Sequence, residues 1–598
     1  MLVMKNKLIV IEEKIEKSMA IFIREIMEND DFGPFKLNKP GNIEFGDYTT
    51  SAAMEVFAFL GESLKLKYKN PRILASALME HLERAITLKD LVEKIEVAGP
   101  GFVNIWLKNK VWVDLFKNDF YQVGFGKTES RTYVVEYSSP NIAKPFTIGH
   151  LRSTIIGATL ANLLESIGAR VIRDNHLGDW GTQFGKQIVA IEKWGNLDEV
   201  GKSQNPIKDL VALYIKFHRE AEKNEELNDE ARLVFKKMED GDEKYLSMWQ
   251  KIIDLSMKEF DKIYDKLCVQ FSENEGKGYG ESFVRDKTEL VVKQLKEKKL
   301  LKRSREAMIV EYSEEEKLAP LMILKKDGSS LYATRDLAMD WWRKEKHGEN
   351  IKIINEVGKE QSLYFKQLYR LEELLGWFKK EQRVHVAHGL YRFKDRKMST
   401  RKGDVVWLED IWSQAEEKVR AISKIELSDE DVNIIVNGAI KWNDLVREAV
   451  NDIDFDLEVM LSLKGNSGSY MQYTGVRIQS IIKKSDFAVY GESDLSKISK
   501  KLIDLKVWAQ LKTLELNSEQ MKLVKKVMQY GEVKRRATKI LKTNILASYL
   551  FELAQDFNNF YNKSEILNNE SNLVITKVIG IVLSDGLNIL GIKIPSKM

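Results

Sequence analysis

Hydrophobic positions along the chain change period several times, and each change marks an element. Apolar residues recur at helical spacing through Ile11–Met27 and again through Ser51–Leu60. The stretch 70–82 opens on Asn70-Pro71, a helix-start signal. A short strand at 96–98 runs into Gly99-Pro100-Gly101, a turn, and Phe102–Leu107 reads as the returning strand. Residues 1–122 therefore predict a small α+β unit.

From Arg131 the texture is different. Thr132-Tyr133-Val134-Val135-Glu136-Tyr137 is β-branched and aromatic, which predicts a buried strand. A loop over 138–148 leads to a long helical pattern, 149–167, closed by Gly168, and Val171–Arg173 resumes as strand. Strand, loop, helix, strand is a βαβ unit and predicts a parallel sheet. Residues 195–300 are charged and helical and interrupt that pattern as an insertion. The pattern is expected to resume at 308–311, 321–325, 351–356 and 384–388, four short apolar runs. From 456 to 598 only helical periodicity remains, and no repeat of fixed period is found. The expected domains are thus 1–122, 123–455 with the insertion, and 456–598.

Composition narrows the class. With 43% hydrophobic and 31% charged residues, the 598-residue chain has the balance of a folded multidomain protein. Nine prolines and no Pro/Gly/Ser-rich linker predict abutting domains. Cys268, the only cysteine, cannot form an internal disulfide or a multi-thiolate zinc site. It is expected in the core of a protein from a reducing cytoplasm. The first 25 residues alternate apolar and charged positions, unlike a signal peptide. No apolar run reaches 18 residues, so no membrane span is expected. Net charge is +4 overall, but residues 456–598 hold 21 Lys+Arg against 14 Asp+Glu, a local +7. That asymmetry fits a polyphosphate partner.

Two motifs carry the candidate chemistry. Thr147-Ile148-Gly149-His150 falls where a strand's carboxyl end hands over to a helix, the ligand-binding edge of an open α/β sheet. The helix start offers free N–H groups to phosphate, Gly149 admits close approach, and His150 can donate to a phosphate oxygen. Alone, a Gly-His there is more often structural. Some 250 residues later, Lys397-Met398-Ser399-Thr400-Arg401-Lys402-Gly403 sets three cations around Ser and Gly, suited to a triphosphate. Alone, it is more often a solvated turn.

Together, in this order, they resemble the HIGH and KMSKS signatures of class I aminoacyl-tRNA synthetases. The flanking residues resemble the arginyl-tRNA synthetase family: Glu136-Tyr137-Ser138-Ser139-Pro140-Asn141-Ile142-Ala143-Lys144-Pro145, Gly149-His150-Leu151-Arg152-Ser153-Thr154 and Leu177-Gly178-Asp179-Trp180-Gly181-Thr182-Gln183-Phe184-Gly185. Gly46-Asp47-Tyr48, Gly280-Glu281-Ser282, Gln472-Tyr473 and the ending around Gly586-Leu587-Asn588 extend the likeness along the whole chain.

The resemblance implies a multidomain α/β protein. Its parts are a Rossmann-like parallel-sheet catalytic domain with a helical insertion, an N-terminal α+β appended domain touching tRNA, and a C-terminal all-α anticodon-binding bundle. It implies ATP with Mg2+, L-arginine and the tRNA for arginine as substrates, no tightly bound protein metal, no membrane and a monomer. Implied catalytic residues are His150, Lys397, Lys144 and Arg401. Implied ATP contacts are Thr147, Gly149, His150, Gly389, Lys397, Met398 and Ser399. Implied arginine contacts are Glu136, Ser138, Asn141, His150, Tyr332, Asp336 and Gln361. Tyr332 and Asp336 are i and i+4, one face of a helix, and a carboxylate beside a phenol suits a planar guanidinium. Three positions depart from the family pattern. Thr147 replaces the first His of HIGH, Thr400 replaces a Lys, and Tyr364 stands where the family carries His, expected to be a neutral packing change. Two alternatives stay open from sequence: a cysteine ligase or pantothenate synthetase sharing the signatures, and a non-catalytic RNA-binding relative.

Overall fold

The computed structural model describes residues 7–27, 35–40, 43–127, 129–142, 144–304, 307–326, 328, 330–392, 407–485 and 516–598. The chain forms two compact units. One gathers Met1–Thr128, Ile482–Val533 and Asp556–Val582; the other gathers Glu129–Ile481, Lys534–Gln555 and Leu583–Met598.

In the first unit, the helix Lys7–Met27 buries Leu8, Ile11, Ile15, Met19, Phe22 and Ile23, the stripe its periodicity predicts. Strands β1 (Tyr48–Thr50), β2 (Val92–Ala98) and β3 (Phe102–Leu107) form an antiparallel sheet in the order β1-β3-β2. The β2–β3 turn needs its glycines: Gly99 has φ +53°, and a Cβ on Gly101 would lie 3.0 Å from the Pro71 carbonyl oxygen. Asp47 is buried behind the sheet. Its carboxylate accepts from the Leu107 N–H (2.7 Å) and the Trp112 indole (3.3 Å), and it pairs with Lys525 Nζ at 2.9 Å. Lys525 belongs to the helix Ser518–Met528, so late sequence is built into this unit.

The second unit is organised by a four-stranded parallel sheet of β4 (Thr132–Glu136), β5 (Arg170–Asp174), β9 (Lys352–Gly358) and β10 (Arg383–His388), in the order β10-β9-β4-β5. Val134 and Ile353 join Leu337, Ala338, Leu368 and Leu371 in one core beneath it. The remaining two apolar runs are not in this sheet. They form β7 (Ala307–Val310) and β8 (Leu321–Leu324), which with β6 (Leu301–Ser304) make a separate antiparallel meander. Two residues separate β6 from β7, whereas parallel neighbours need a crossover of about a dozen or more. Met322 on β8 is 55% exposed, so this run is half-buried rather than enclosed.

One further expectation changes. Cys268 is exposed, not core. It follows the helix Glu243–Lys266 in the left-handed conformation (φ +50°), with its N–H and that of Val269 turned back to Asp265 and Tyr264 carbonyls. A helix-terminating residue of this kind faces outward by its role. The helix Glu570–Ile589 is long and apolar enough to cross a membrane, with hydropathy 1.4 over its most apolar window, although its apolar run is interrupted. That window is 83% buried in the protein, which makes it a core helix.

Candidate active site

A cleft of about 430 Å³ opens at the carboxyl ends of the parallel strands. One wall is the loop after β4. Ser138 and Ser139 both take positive φ (+71° and +44°), an uncommon conformation for non-glycine residues, and the fold holds them there. The Ser138 N–H donates to Ser153 Oγ (3.0 Å), the Ser139 N–H donates to Asn175 Oδ1 (3.1 Å), and Asn141 bridges in parallel to Gly178.

Thr147 is the N-cap of the helix Ile148–Ser166, and His150 is its third residue. The Thr147 N–H donates to His150 Nδ1 at 3.1 Å. An Nδ1 that accepts leaves the proton on Nε2, so the ring is a neutral donor. Burial, with Lys144 nearby, pushes its pKa down to about 4, against the Thr147 hydrogen bond. His150 therefore offers an N–H dipole rather than a charge at neutral pH.

The opposite wall is acidic. Asp336, in the first turns of the helix Tyr332–His347, accepts a hydrogen bond from the Tyr364 hydroxyl, and its Oδ1 lies 3.3 Å from His176 Nε2. The Tyr332 and Tyr364 rings sit 4.9 Å apart. Arg335 Nε pairs with Glu281 at 2.6 Å. One helical turn beyond Asp336, Asp340 and the buried Arg343 form a network: Arg343 pairs with Glu136 (2.6 Å), Asp340 (2.8 Å) and Asp174. At the cleft floor His388 Nδ1 meets Glu356 at 2.9 Å. Among the described residues lining the cleft six are carboxylates, and Arg343 is committed to its own ion pairs. Such a pocket favours a cation.

Glu136, Ser138, Asn141, Gly149, His150, Tyr332, Asp336 and Gln361, all anticipated from sequence, line this one cleft. Thr147, Lys144 and Gly389 do not line it. A Cβ on Gly389 would meet Asp452 and Asn451 at 2.5–2.7 Å, a packing reason for glycine there. Lys397, Met398, Ser399 and Arg401 lie outside the described residues. Sequence reasoning missed His176, Glu281, Asp340, Arg343 and His388 as cleft residues. Asp336, Asp340 and Arg343 share one helix face at i, i+4 and i+7, a signal present in the sequence. Tyr364 is not a neutral change, since its hydroxyl engages Asp336.

A parallel sheet, a helix start aimed into the cleft and an acidic cage beside it define the catalytic unit of a class I aminoacyl-tRNA synthetase. The family model "tRNA synthetases class I (R), catalytic domain" matches residues 114–457. "Arginyl tRNA synthetase N terminal domain" matches 10–107, and "DALR anticodon binding domain" matches 471–598. The arginine--tRNA ligase of Clostridium kluyveri is 38% identical over 578 residues, covering 94% of this chain and 95% of the relative. That of Streptococcus suis is 37% identical over 581 residues, with the same coverage. Solved arginyl-tRNA synthetases from Plasmodium falciparum (TM-score 0.79, 23% identity, 98% of this chain and 99% of that one) and Thermus thermophilus (TM-score 0.75, 19% identity, 98% and 100%) share the fold. The chain belongs to the arginyl-tRNA synthetase family.

Proposed function

We propose that this chain uses ATP to join arginine to its tRNA through an arginyl-adenylate. The acidic cage around Asp336, set beside the start of the helix Ile148–Ser166, is the observation that carries this reading. In the first step an arginine carboxylate oxygen attacks the α-phosphorus of ATP, the bond to the β-phosphate oxygen breaks, and pyrophosphate leaves. In the second step the 2′-hydroxyl of the terminal adenosine attacks the arginyl carbonyl, losing its proton as AMP departs. Both steps need alignment and charge neutralisation more than a protein nucleophile.

Asp336 accepts the guanidinium, with Tyr332 against its flat face and Gln361 nearby. Glu136, Ser138 and Asn141 serve the amino and carboxylate end. Gly149 and His150 serve ATP; His150 gives the phosphate a neutral Nε2–H donor. Lys397, Arg401 and Lys144 supply the cations for the leaving pyrophosphate, and Thr147, Gly389, Met398 and Ser399 complete the nucleotide site. Magnesium enters with ATP. Among the described residues no group of three or more His, Cys, Asp or Glu is placed to hold a metal. Residues 1–122 and the basic 456–598 region engage tRNA, the protein acts as a monomer, and its place is the cytoplasm with the other translation enzymes.

Pyrophosphate exchange measured with arginine, with and without tRNA, tests the reading. Arginine-dependent exchange that rises with tRNA is the expected result. Exchange driven by cysteine, or none with any amino acid, would replace this reading with one of the alternatives open from sequence.

A further inference from the structure

His176 is a titratable residue of the cleft without an assigned role, and its surroundings restrict what it can be. It sits in the loop just past β5, where its backbone is pinned. The Glu281 N–H donates to the Leu177 carbonyl (3.0 Å), Gly178 bridges to Asn141, and Asp179 accepts from the Ser282 N–H (2.8 Å) and hydroxyl. The imidazole Nδ1 lies 3.2 Å from the Tyr279 carbonyl, which can only accept, so Nδ1 carries a proton. Nε2 then faces Asp336 Oδ1 at 3.3 Å. In the neutral ring this would set a lone pair against a carboxylate. That Nε2 lies at ion-pair distance from the carboxylate without hydrogen-bond geometry, so the imidazolium is held there by charge, as the substrate's cation would be.

We infer that His176 is a specificity-determining residue of the arginine site: an imidazolium that holds the guanidinium's place against Asp336, and that gives up its Nε2 proton to solvent when arginine binds. The inference rests on Asp336 being the guanidinium acceptor. After the exchange the neutral ring keeps Nδ1–H on Tyr279, and its Nε2 lone pair accepts an N–H from the guanidinium fork. Nε2 thus changes role, from a charge paired with Asp336 in the free protein to an acceptor from bound substrate. Lysine, with three donors on a point charge, cannot bridge Asp336 and Nε2 as a planar fork does.

The charged groups around the ring support this. Burial disfavours the imidazolium, but contact with Asp336 and the field of Glu136 outweigh burial and Arg343, raising the pKa to about 10. Glu281 and Asp179, from neighbouring segments, also face it, and Tyr364 shares Asp336 with it. A guanidinium about 4 Å away, at an effective dielectric of about 20, lowers an imidazole pKa by roughly three pH units. Near pH 8.5 His176 is then protonated in the free protein and neutral with arginine bound. Arginine affinity should rise with pH, approaching tenfold per unit between roughly 7 and 10.

Calorimetric titration of the full chain with L-arginine at pH 8.5, in two buffers of different ionisation enthalpy, counts the protons released. We expect the wild type to release about one proton more per arginine than His176→Gln. The Gln variant retains a side-chain acceptor, does not titrate, and carries the same loss from arginine's own amino group. Equal release by the two proteins overturns the inference. If the Gln variant does not bind, the wild type decides. Its affinity, corrected for the amino group, must climb with pH as stated, and a flat profile overturns the inference. A residue that only propped the loop would weaken binding equally at every pH and leave the proton count unchanged. Normal arginine binding by Asp336→Asn would instead sink the underlying site assignment.

Discussion

Asp336 and Tyr364 come from different helices, 28 residues apart, and meet at one hydrogen bond. Because the acceptor is a carboxylate, that bond both orients Asp336 and partly balances its charge. Asp336→Asn keeps the shape but removes the charge and turns one acceptor into a donor. Arginine kcat/KM should fall by about 3 kcal/mol, roughly 150-fold, with ATP KM little changed. Steady-state kinetics decide, and a folded variant with normal arginine kcat/KM would remove Asp336 from the site. Tyr364→Phe deletes only the donor and should cost about 1.5 kcal/mol, near tenfold, in arginine kcat/KM. Tyr364→His, which restores the family's residue and a ring N–H, should recover most of that loss; if Phe and His behave alike, the hydroxyl contact has no role in arginine use. At this scale the sequence was informative where residues share a helix face, as Tyr332 and Asp336 do. It was silent on His176 and Glu281, which reach the cleft from distant loops. Position alone could have flagged His176, which comes two residues after the carboxyl end of a parallel strand.

At the scale of elements, the helix Ile148–Ser166 lies so close to β4 and its following loop that a Cβ on Gly157 would sit 2.0 Å from Tyr137 Cβ. Tyr137 is fully buried and its hydroxyl donates to the Gln270 carbonyl, so it cannot step aside. Gly157→Ala should therefore push the helix start, with Gly149 and His150, away from the cleft. The expected loss is about 3 kcal/mol of stability, together with a raised ATP KM. A variant with unchanged thermal unfolding and unchanged ATP KM would show that the packing gives way freely. This helix and β4 were legible because a β-branched run and a long helical period are both strong signals. The β6–β8 meander was not. A four-residue apolar run looks alike in an enclosed parallel strand and in a half-buried antiparallel one, and only the partner decides. The N-cap role of Thr147 was also missed. The family's charged residue was sought there, whereas a Thr at this position caps the helix while His150 reaches back to its N–H.

At the scale of the whole molecule, sequence patterning anticipates three successive domains, and tertiary contacts tie late sequence to earlier sequence. Both compact units draw on residues beyond 481. In the first, Lys525 neutralises the buried Asp47. In the second, the buried Lys441 donates to the Leu267 and Gly591 carbonyls, Asn162 Nδ2 donates to the Ile589 carbonyl, and Asp431 accepts from the Ser596 N–H and hydroxyl. Periodicity cannot reveal such long-range partnerships, because each half of a pair looks like an ordinary surface residue in its own segment. A chain ending at Asp454 should accordingly lose more than tRNA charging. Stranding Asp47 without its cation costs on the order of 3–5 kcal/mol, a large share of the 5–15 kcal/mol typical of a domain. We expect the truncated chain to melt at a lower temperature with reduced cooperativity by circular dichroism. Sharp unfolding at the full-length temperature, with only tRNA charging lost, would instead show the three segments to be independent in stability.

The placement of Gly591 and Ser596 also bears on how the protein is made. While a ribosome is still reading the codons before 583, Lys441 and Asp431 are already synthesised without those partners, and the catalytic unit is unfinished. Prematurely terminated chains would carry the signature helix and every described residue of the cleft, yet present a loosened unit to proteases. Completion of the catalytic unit is thereby tied to synthesis through at least Ser596.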